Sequence, residues 1–281
     1  MPETTATNRI ILQATDLKKW FPVRRRLRQA LQGERRWVRA VDGVSFGVRK
    51  GEIFGLIGES GCGKTTTGKL VMKLLEATSG RLEFEGADAT GLDRDAVIAY
   101  RRKVQMIFQD PYASMNPRFK IRDVLEEPLL VHGIGRSQRE RDELVEQALA
   151  AVKLTPVSDF MGRFPHMLSG GQRQRAATAR TLILSPDLLV ADEPVSMIDL
   201  STRAEILAMM KELQRQFGLT YLYITHDLST ARYFTDRIAV MYLGRIVEIG
   251  SPDDVVDHPV HPYTRALIAA VCEPVSGQVD I

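Results

Sequence analysis

The sequence predicts an α/β protein, a mostly parallel sheet flanked by helices, with a helical segment inserted into it. Three observations carry that expectation. Short apolar runs that read as buried strands alternate with segments of helical period. A glycine-rich loop, GESGCGKTT at 58–66, joins one such run to one such helix. From Pro111 to Pro165 the strand-like runs give way to helical patterns, and the strands resume beyond.

Taken in order, Ile10-Ile11-Leu12 begins a short apolar strand, and the pattern returns at 38–48. Between them lies a basic insertion at 18–39 carrying Lys18, Lys19, Arg24, Arg25, Arg26, Arg28, Arg35, Arg36 and Arg39 against one acid, Glu34. It reads as a solvated surface loop, or as a contact for anionic lipid headgroups or a partner's acidic loop. Residues 52–57 form a buried strand, and 65–75 a helix presenting Leu70, Val71, Leu74 and Leu75. Residues 79–86 give a turn and an alternating strand, and 104–108 another apolar strand that ends at Gln109-Asp110-Pro111. The helical segment is broken at Pro117, Pro128, Gly133, Gly135 and Pro156. Its clearest helix starts at Ser137 with a capping box to Glu140 and presents Leu144, Ala148 and Val152. A helix at 172–184, a buried strand at 188–191 and a helix capped by Thr202 with Glu205 follow. That last helix has Ile206, Met209, Leu213 and Phe217 as its stripe. A strand at 219–224 and a hairpin of 238–242 with 246–249 close the core.

The 281 residues, 44% hydrophobic and 26% charged, suffice for one large or two small soluble domains with a substantial core. A net charge of +3 does not by itself argue for nucleic acid. Two cysteines, Cys62 and Cys272, form neither a disulfide framework nor a zinc spacing, which suits a reducing compartment. No apolar run approaches a bilayer span, and the start has no signal-peptide pattern, so membrane work would need other subunits.

Chemistry gathers at the strand ends. The 58–66 loop fits G-x-x-x-x-G-K-[ST], whose backbone N–H groups cradle phosphates at a helix N-terminus. Gly58, Glu59, Ser60, Gly61, Cys62, Gly63, Lys64, Thr65 and Thr66 are therefore nucleotide-binding candidates. Lys64 would reach the β- and γ-phosphates, and Thr65 would hold Mg²⁺. Asp192 ends an apolar strand, placing a carboxylate for Mg²⁺ through water, and Glu193 follows as the base for an attacking water. Gln109 and His226 also end apolar strands, where γ-phosphate sensors are needed; Gln109 is grouped with Thr65 and Asp192 as a Mg²⁺ ligand. Trp20, Phe21 and Trp37 supply flat faces for a purine. Cys62 either merely fits the loop or, with its pKa lowered by the helix dipole, is the site through which thiol reagents inhibit.

The stretch Leu168-Ser169-Gly170-Gly171-Gln172 is expected by chance in about one of several thousand chains of this size. With GESGCGKTT, Gln109, LLVADEP at 188–194, SMID at 196–199 and His226, the chain resembles the ATPase subunit of an ATP-binding cassette (ABC) transporter. The resemblance implies a single ABC ATPase domain over 1–281. Within it, 8–109 and 166–250 form a RecA-like core with an antiparallel β-subdomain, 110–165 an α-helical subdomain, and 251–281 a C-terminal extension. It implies two ATP molecules sandwiched between two subunits, the Ser169 and Gly171 of one capping the γ-phosphate held by the other. His226 would be the switch residue, Asp199 would communicate between sites, and Gln109 would link the γ-phosphate to the permease. In the 196–199 motif Met197 and Ile198 stand where alanine and leucine are commoner, with the acid retained.

DHPVHPYTRAL at 257–267, QDPYASMNPR at 109–118 and RAVDGVSF at 39–46 resemble the oligopeptide, dipeptide and nickel importer branch, whose relatives also carry oligosaccharides. That branch makes Phe21 the first choice for stacking on adenine and Trp37 the second. Its implied partners are integral-membrane permeases, a second ABC ATPase (the same chain or another) and, indirectly, an extracytoplasmic solute-binding protein. Nucleic acid is not among them, and the implied place is the cytoplasmic face of the inner membrane. Some members bind an iron–sulphur cluster through several C-terminal cysteines; with Cys272 alone, none is expected here. The rivals are an ABC ATPase acting on DNA, ribosomes or cofactor assembly, and a non-ABC nucleotide kinase.

Overall fold

A computed structural model describes residues 9–23, 36–110 and 115–272, the last two by backbone only. The arginines at 24–35 and the Cys272 side chain lie outside the described residues, as do residues 111–114. The described chain divides into two compact units, a discontinuous one (9–91 with 223–272) and a central one (92–222).

In the discontinuous unit, β1 (Ile10–Pro22) pairs antiparallel with β2 (Trp37–Arg49) along its whole length, ending at Pro22 opposite Trp37. The strand expected to begin at 10–12 is thus one arm of a 13-residue ribbon. Register shifts near Ala14, Leu17 and Trp20 and a left-handed Asp16 (φ 46°) break the period of two, which hid the strand from pattern reading. The buried strand β3 (Ile53–Ile57) leads through the glycine loop into α1 (Lys64–Val71). This helix stops short of Leu75. Lys73 turns left-handed (φ 55°), the N–H groups of Leu74 and Leu75 fold back onto the Lys69 carbonyl, and Leu74 is exposed. β4 (Ser79–Phe84) and β5 (Ala87–Asp88) complete a four-stranded antiparallel sheet in the order β2-β1-β4-β5.

The central unit opens with α2 (Arg94–Lys103) and β6 (Val104–Ile107). Then come α3 (Ile121–Val131), α4 (Gln138–Ala151) and the single turn α5 (Ser158–Met161). Pro128 does not break the chain but sits inside α3. Ser137 caps α4 through the Glu140 N–H, whereas the Glu140 carboxylate reaches past it to the Arg136 N–H. The buried stripe is Val145, Ala148, Leu149 and Val152, so Ala148 and Val152 lie on the face expected, whereas Leu144 is only half-buried. After α6 (Gly170–Leu182), β7 (Leu188–Asp192) lies parallel to β6, and every residue of β7 is buried. That is why it reads as an unbroken apolar run.

The helix α7 (Leu200–Phe217) begins earlier than expected, because Asp199 rather than Thr202 is its N-cap. Its inner face is Ile206, Met209, Met210 and Leu213, with Phe217 exposed. Within β8 (Thr220–Thr225) the chain passes into the discontinuous unit. There α8 (Leu228–Phe234) precedes β9 (Arg237–Tyr242), which runs parallel to β3, and β10 (Arg245–Gly250), antiparallel to β9. Leu243 and Gly244, both at positive φ, make the two-residue hairpin turn. α9 (Pro252–Asp257) and α10 (Pro262–Cys272) pack Val255 and Leu267 with Ile57, Leu228, Ala231, Ile238 and Val240 into one core.

Candidate functional site

In the discontinuous unit β3 aims its C-terminal end into the glycine loop. Lys64 is almost fully buried, and its ammonium donates to the carbonyls of Gly58 (2.6 Å) and Glu59 (2.9 Å). The third proton of the ammonium faces Cys62 Sγ at 3.9 Å, a weak acceptor that an anion would outcompete. The loop folds tightly over the β9–β10 turn: Gly244 N–H donates to the Cys62 carbonyl, and a Cβ on Gly58 would lie 2.2 Å from the Met241 carbonyl oxygen. Gly58 (φ 154°) therefore tolerates no side chain. Left-handed Gly63 caps α1 without a side-chain acceptor, and the first turn holds no acid, so the helix start is electropositive. Gly63 is buried and Thr66 half-buried, while Glu59, Ser60, Gly61 and Thr65 are exposed. His226 follows β8 and is exposed.

The aromatic candidates sit on the β1–β2 ribbon. Phe21 pairs with Val38, with the Lys19 ammonium 5.3 Å from its ring centre. Trp37 pairs with Pro22 and belongs to the other face, that of Trp20. Trp20 is itself engaged, donating to Asp42 (3.0 Å) beneath the Arg39 guanidinium. Phe21 and Trp37 are therefore not brought together, and only one of them can lie against a given base.

In the central unit the parallel register explains a contact. Ile107 pairs with Ala191, so the residues two further on, Gln109 and Glu193, emerge side by side, and Gln109 Nε2 donates to Glu193 Oε2 at 2.9 Å. Asp192 is buried at the end of β7, and Glu193 takes a left-handed backbone (φ 46°) just beyond it. Ser169 caps α6 reciprocally: its Oγ accepts from the Gln172 N–H (3.2 Å), and the Gln172 side chain accepts from the Ser169 N–H (3.1 Å). The Gln172 side chain thus shapes the helix start. Gly170 is exposed, whereas Gly171 is packed so closely that a Cβ would lie 2.5 Å from Thr202 Cγ2. The Thr202 hydroxyl in turn donates to Asp199 (2.7 Å), which links the glycine pair to the 196–199 motif. Hydroxyls of Ser201 and Thr202, with the Thr202 N–H, hold the Asp199 carboxyl down to about 2.

Two structural residues were missed by sequence reading. Thr202, expected as the helix cap, instead forms this bridge to the true cap, Asp199. Arg173, fully buried, donates to the carbonyls of Pro165 (2.8 Å) and Leu168 (2.9 Å), bracing the turn before Ser169. An arginine directly after an apolar-glycine motif was the available signal.

The model of the family described as ABC transporter matches residues 41–196. The chain belongs to the ABC transporter family. It is 47% identical to the oligopeptide transport ATP-binding protein AppF of Bacillus subtilis, over 95% of this chain and 80% of that one. It is 45% identical to the dipeptide transport ATP-binding protein DppF of Escherichia coli, over 92% and 76% respectively. Among solved structures, the post-hydrolysis dimer of the ATP-binding cassette MJ0796 with ADP and Pi matches with a TM-score of 0.74 at 26% identity, covering 86% of this chain and 98% of that one. The fold is that of an ABC cassette, and this ABC ATPase binds nucleotide and hydrolyses ATP.

Of the two readings of Cys62 in this ABC ATPase, burial favours the one in which it merely fits the loop. Cys62 is buried, and burial pushes its thiol up, outweighing the nearby Lys64 ammonium. In a Cys272→Ser background, iodoacetamide at pH 7 is expected to label native Cys62 at least ~10-fold more slowly than a free thiol. Labelling at the free-thiol rate would restore a reactive Cys62.

Proposed function

We propose that this ABC ATPase energises an importer of peptides. The observation that carries the reading is identity of 45–47% to oligopeptide and dipeptide transport ATP-binding proteins over more than nine-tenths of the chain. Its assembly comprises a second ABC ATPase, integral-membrane permeases docked near Gln109 and the α3–α5 region, and an extracytoplasmic binding protein. The permeases hold the chain at the cytoplasmic face of the membrane. No helix among the described residues is long and apolar enough to cross a membrane.

In the mechanism we propose, the 58–66 loop and the α1 N-terminus bind the phosphates of ATP, and Lys64 turns a proton from Cys62 Sγ to the β/γ oxygens. Glu193, oriented by Gln109, takes the proton of a water that attacks the γ-phosphorus in line, while the bond to the ADP oxygen breaks. Ser169 of a partner subunit donates to the γ-phosphate, Gly171 sets the α6 N-terminus beside it, and His226 senses it. The Thr65 hydroxyl and Asp192 carboxylate are hard oxygen donors of the kind Mg²⁺ takes, with Gln109 as a further oxygen. Bound there, Mg²⁺ would neutralise charge on the β- and γ-phosphates. Phe21 is placed against adenine, with Trp37 as the alternative on the opposite face.

The test is a pull-down from native membranes, followed by reconstitution of what co-purifies. A permease pair whose ATPase is stimulated by peptide-loaded binding protein is the expected result. Ribosomal or nucleic-acid partners would sink the transport reading, and stimulation by nickel or oligosaccharide alone would sink the peptide reading.

A further inference from the structure

The stretch His258-Pro259-Val260-His261-Pro262-Tyr263 has no role in the chemistry above, yet it touches the phosphate loop. The Tyr263 hydroxyl accepts from the Glu59 N–H at 3.2 Å. That N–H belongs to the 58–59 peptide, whose carbonyl, on Gly58, accepts from Lys64 Nζ at 2.6 Å. One peptide plane is thus held from both sides, by a tyrosine on its donor and the lysine on its acceptor. A hydrogen bond to the N–H polarises the carbonyl and strengthens the bond to the ammonium. Gly58 has no side chain to oppose rotation of this plane, so the two bonds add to its close packing against the Met241 carbonyl in orienting it.

The tyrosine is itself firmly placed. Its ring stacks on Tyr242 at the end of β9 (centroids 4.1 Å apart), and its N–H donates to His261 Nδ1. The two oxygens of Glu248 accept from the N–H groups of Val260 (2.9 Å) and His261 (3.0 Å), fixing the approach to α10. Leu267, one turn on, shares a core with Ile57, the residue that leads into Gly58. Burial keeps the Tyr263 hydroxyl protonated well above neutral pH, so it stays a neutral acceptor.

We propose that Tyr263 is a positioning residue for nucleotide binding, pinning the 58–59 peptide and through it Lys64, so that α10 is mechanically part of the ATP site. The proposal rests on Lys64 being the phosphate-binding lysine. The experiment uses the full-length chain and Mg·ATP as the titrant. Tyr263→Phe keeps the ring stack and removes only the hydroxyl, so melting should change little. ATP affinity is expected to fall about 3- to 10-fold, the worth of one neutral hydrogen bond. In a Lys64→Ala background the same change should cost less than about twofold, because the residue it acts through is gone. Exchange of the Glu59 amide proton should accelerate in Tyr263→Phe alone, which merely structural packing would not produce. Equal losses in both backgrounds, no loss in either, or an unchanged Glu59 exchange rate would overturn the proposal. Unchanged ATP affinity in Lys64→Ala alone would overturn the lysine reading first, and this proposal with it.

Discussion

Glu193→Gln is expected to lower ATP turnover by at least about 100-fold while ATP still binds. The substitution is nearly isosteric, and the amide oxygen of the new side chain can accept from Gln109 as Oε2 does at 2.9 Å. Position is therefore kept, and the ability to take a proton is lost. The left-handed backbone at this residue (φ 46°) is unfavourable for Glu and Gln alike, so stability should change by less than about 1 kcal/mol. If, as proposed, ATP is sandwiched between two subunits that part on hydrolysis, the variant should accumulate as an ATP-bound closed pair, visible by gel filtration. Turnover within about threefold of the parent would remove Glu193 as the base. Gln109→Ala separates orientation from chemistry: with the carboxylate present but untethered, a smaller loss, about 10-fold, is expected.

Such predictions could be framed because the chemically decisive stretches are contiguous and locally determined. β3 and β7 are buried along their whole length, so each reads as an apolar run, and the residues just past its C-terminal end stand where α/β folds commonly place ligand contacts. The glycine loop is legible for a similar reason, since Gly58 lies against the Met241 carbonyl and admits no other residue. What was illegible depends on breaks in periodicity or on distance along the chain. Bulges near Ala14 and Leu17 concealed most of β1 and with it the opposite faces of Phe21 and Trp37. A left-handed Lys73 ended α1 where a glycine would have announced it. The contact between Tyr263 and Glu59 spans 204 positions, and nothing local marks it. The Cys62 thiol shows the same limit in energetic form. Its place at a helix start was visible in the sequence, whereas the burial that dominates its titration was not.

Ser169→Arg is expected to abolish turnover in the assembled transporter, by about 100-fold or more, yet leave ATP affinity of the isolated chain within about threefold. The two outcomes separate because the proposed ATP site takes its phosphate loop from one chain and its Ser169 from another. The Ser169 Oγ accepts from the Gln172 N–H at 3.2 Å through one of its two lone pairs, and its proton can donate outward from an exposed helix start. Arginine removes that donor and the cap, at a cost near 1 kcal/mol, and puts a long cation where a neighbouring phosphate would sit. The helix itself should survive, because Ala176, Ala177, Thr178 and Ala179 are buried along it and Arg173 still holds the preceding turn. The phosphate contacts proposed for Lys64 and the α1 N-terminus of the same chain are untouched, so binding by a lone subunit should persist. If ATP affinity of the isolated chain fell in step with turnover, Ser169 would be serving its own chain's nucleotide and the shared site would be wrong. Retained affinity with lost turnover means that one chain carries only half of each catalytic site, which is why a lone subunit should bind ATP and hydrolyse it poorly.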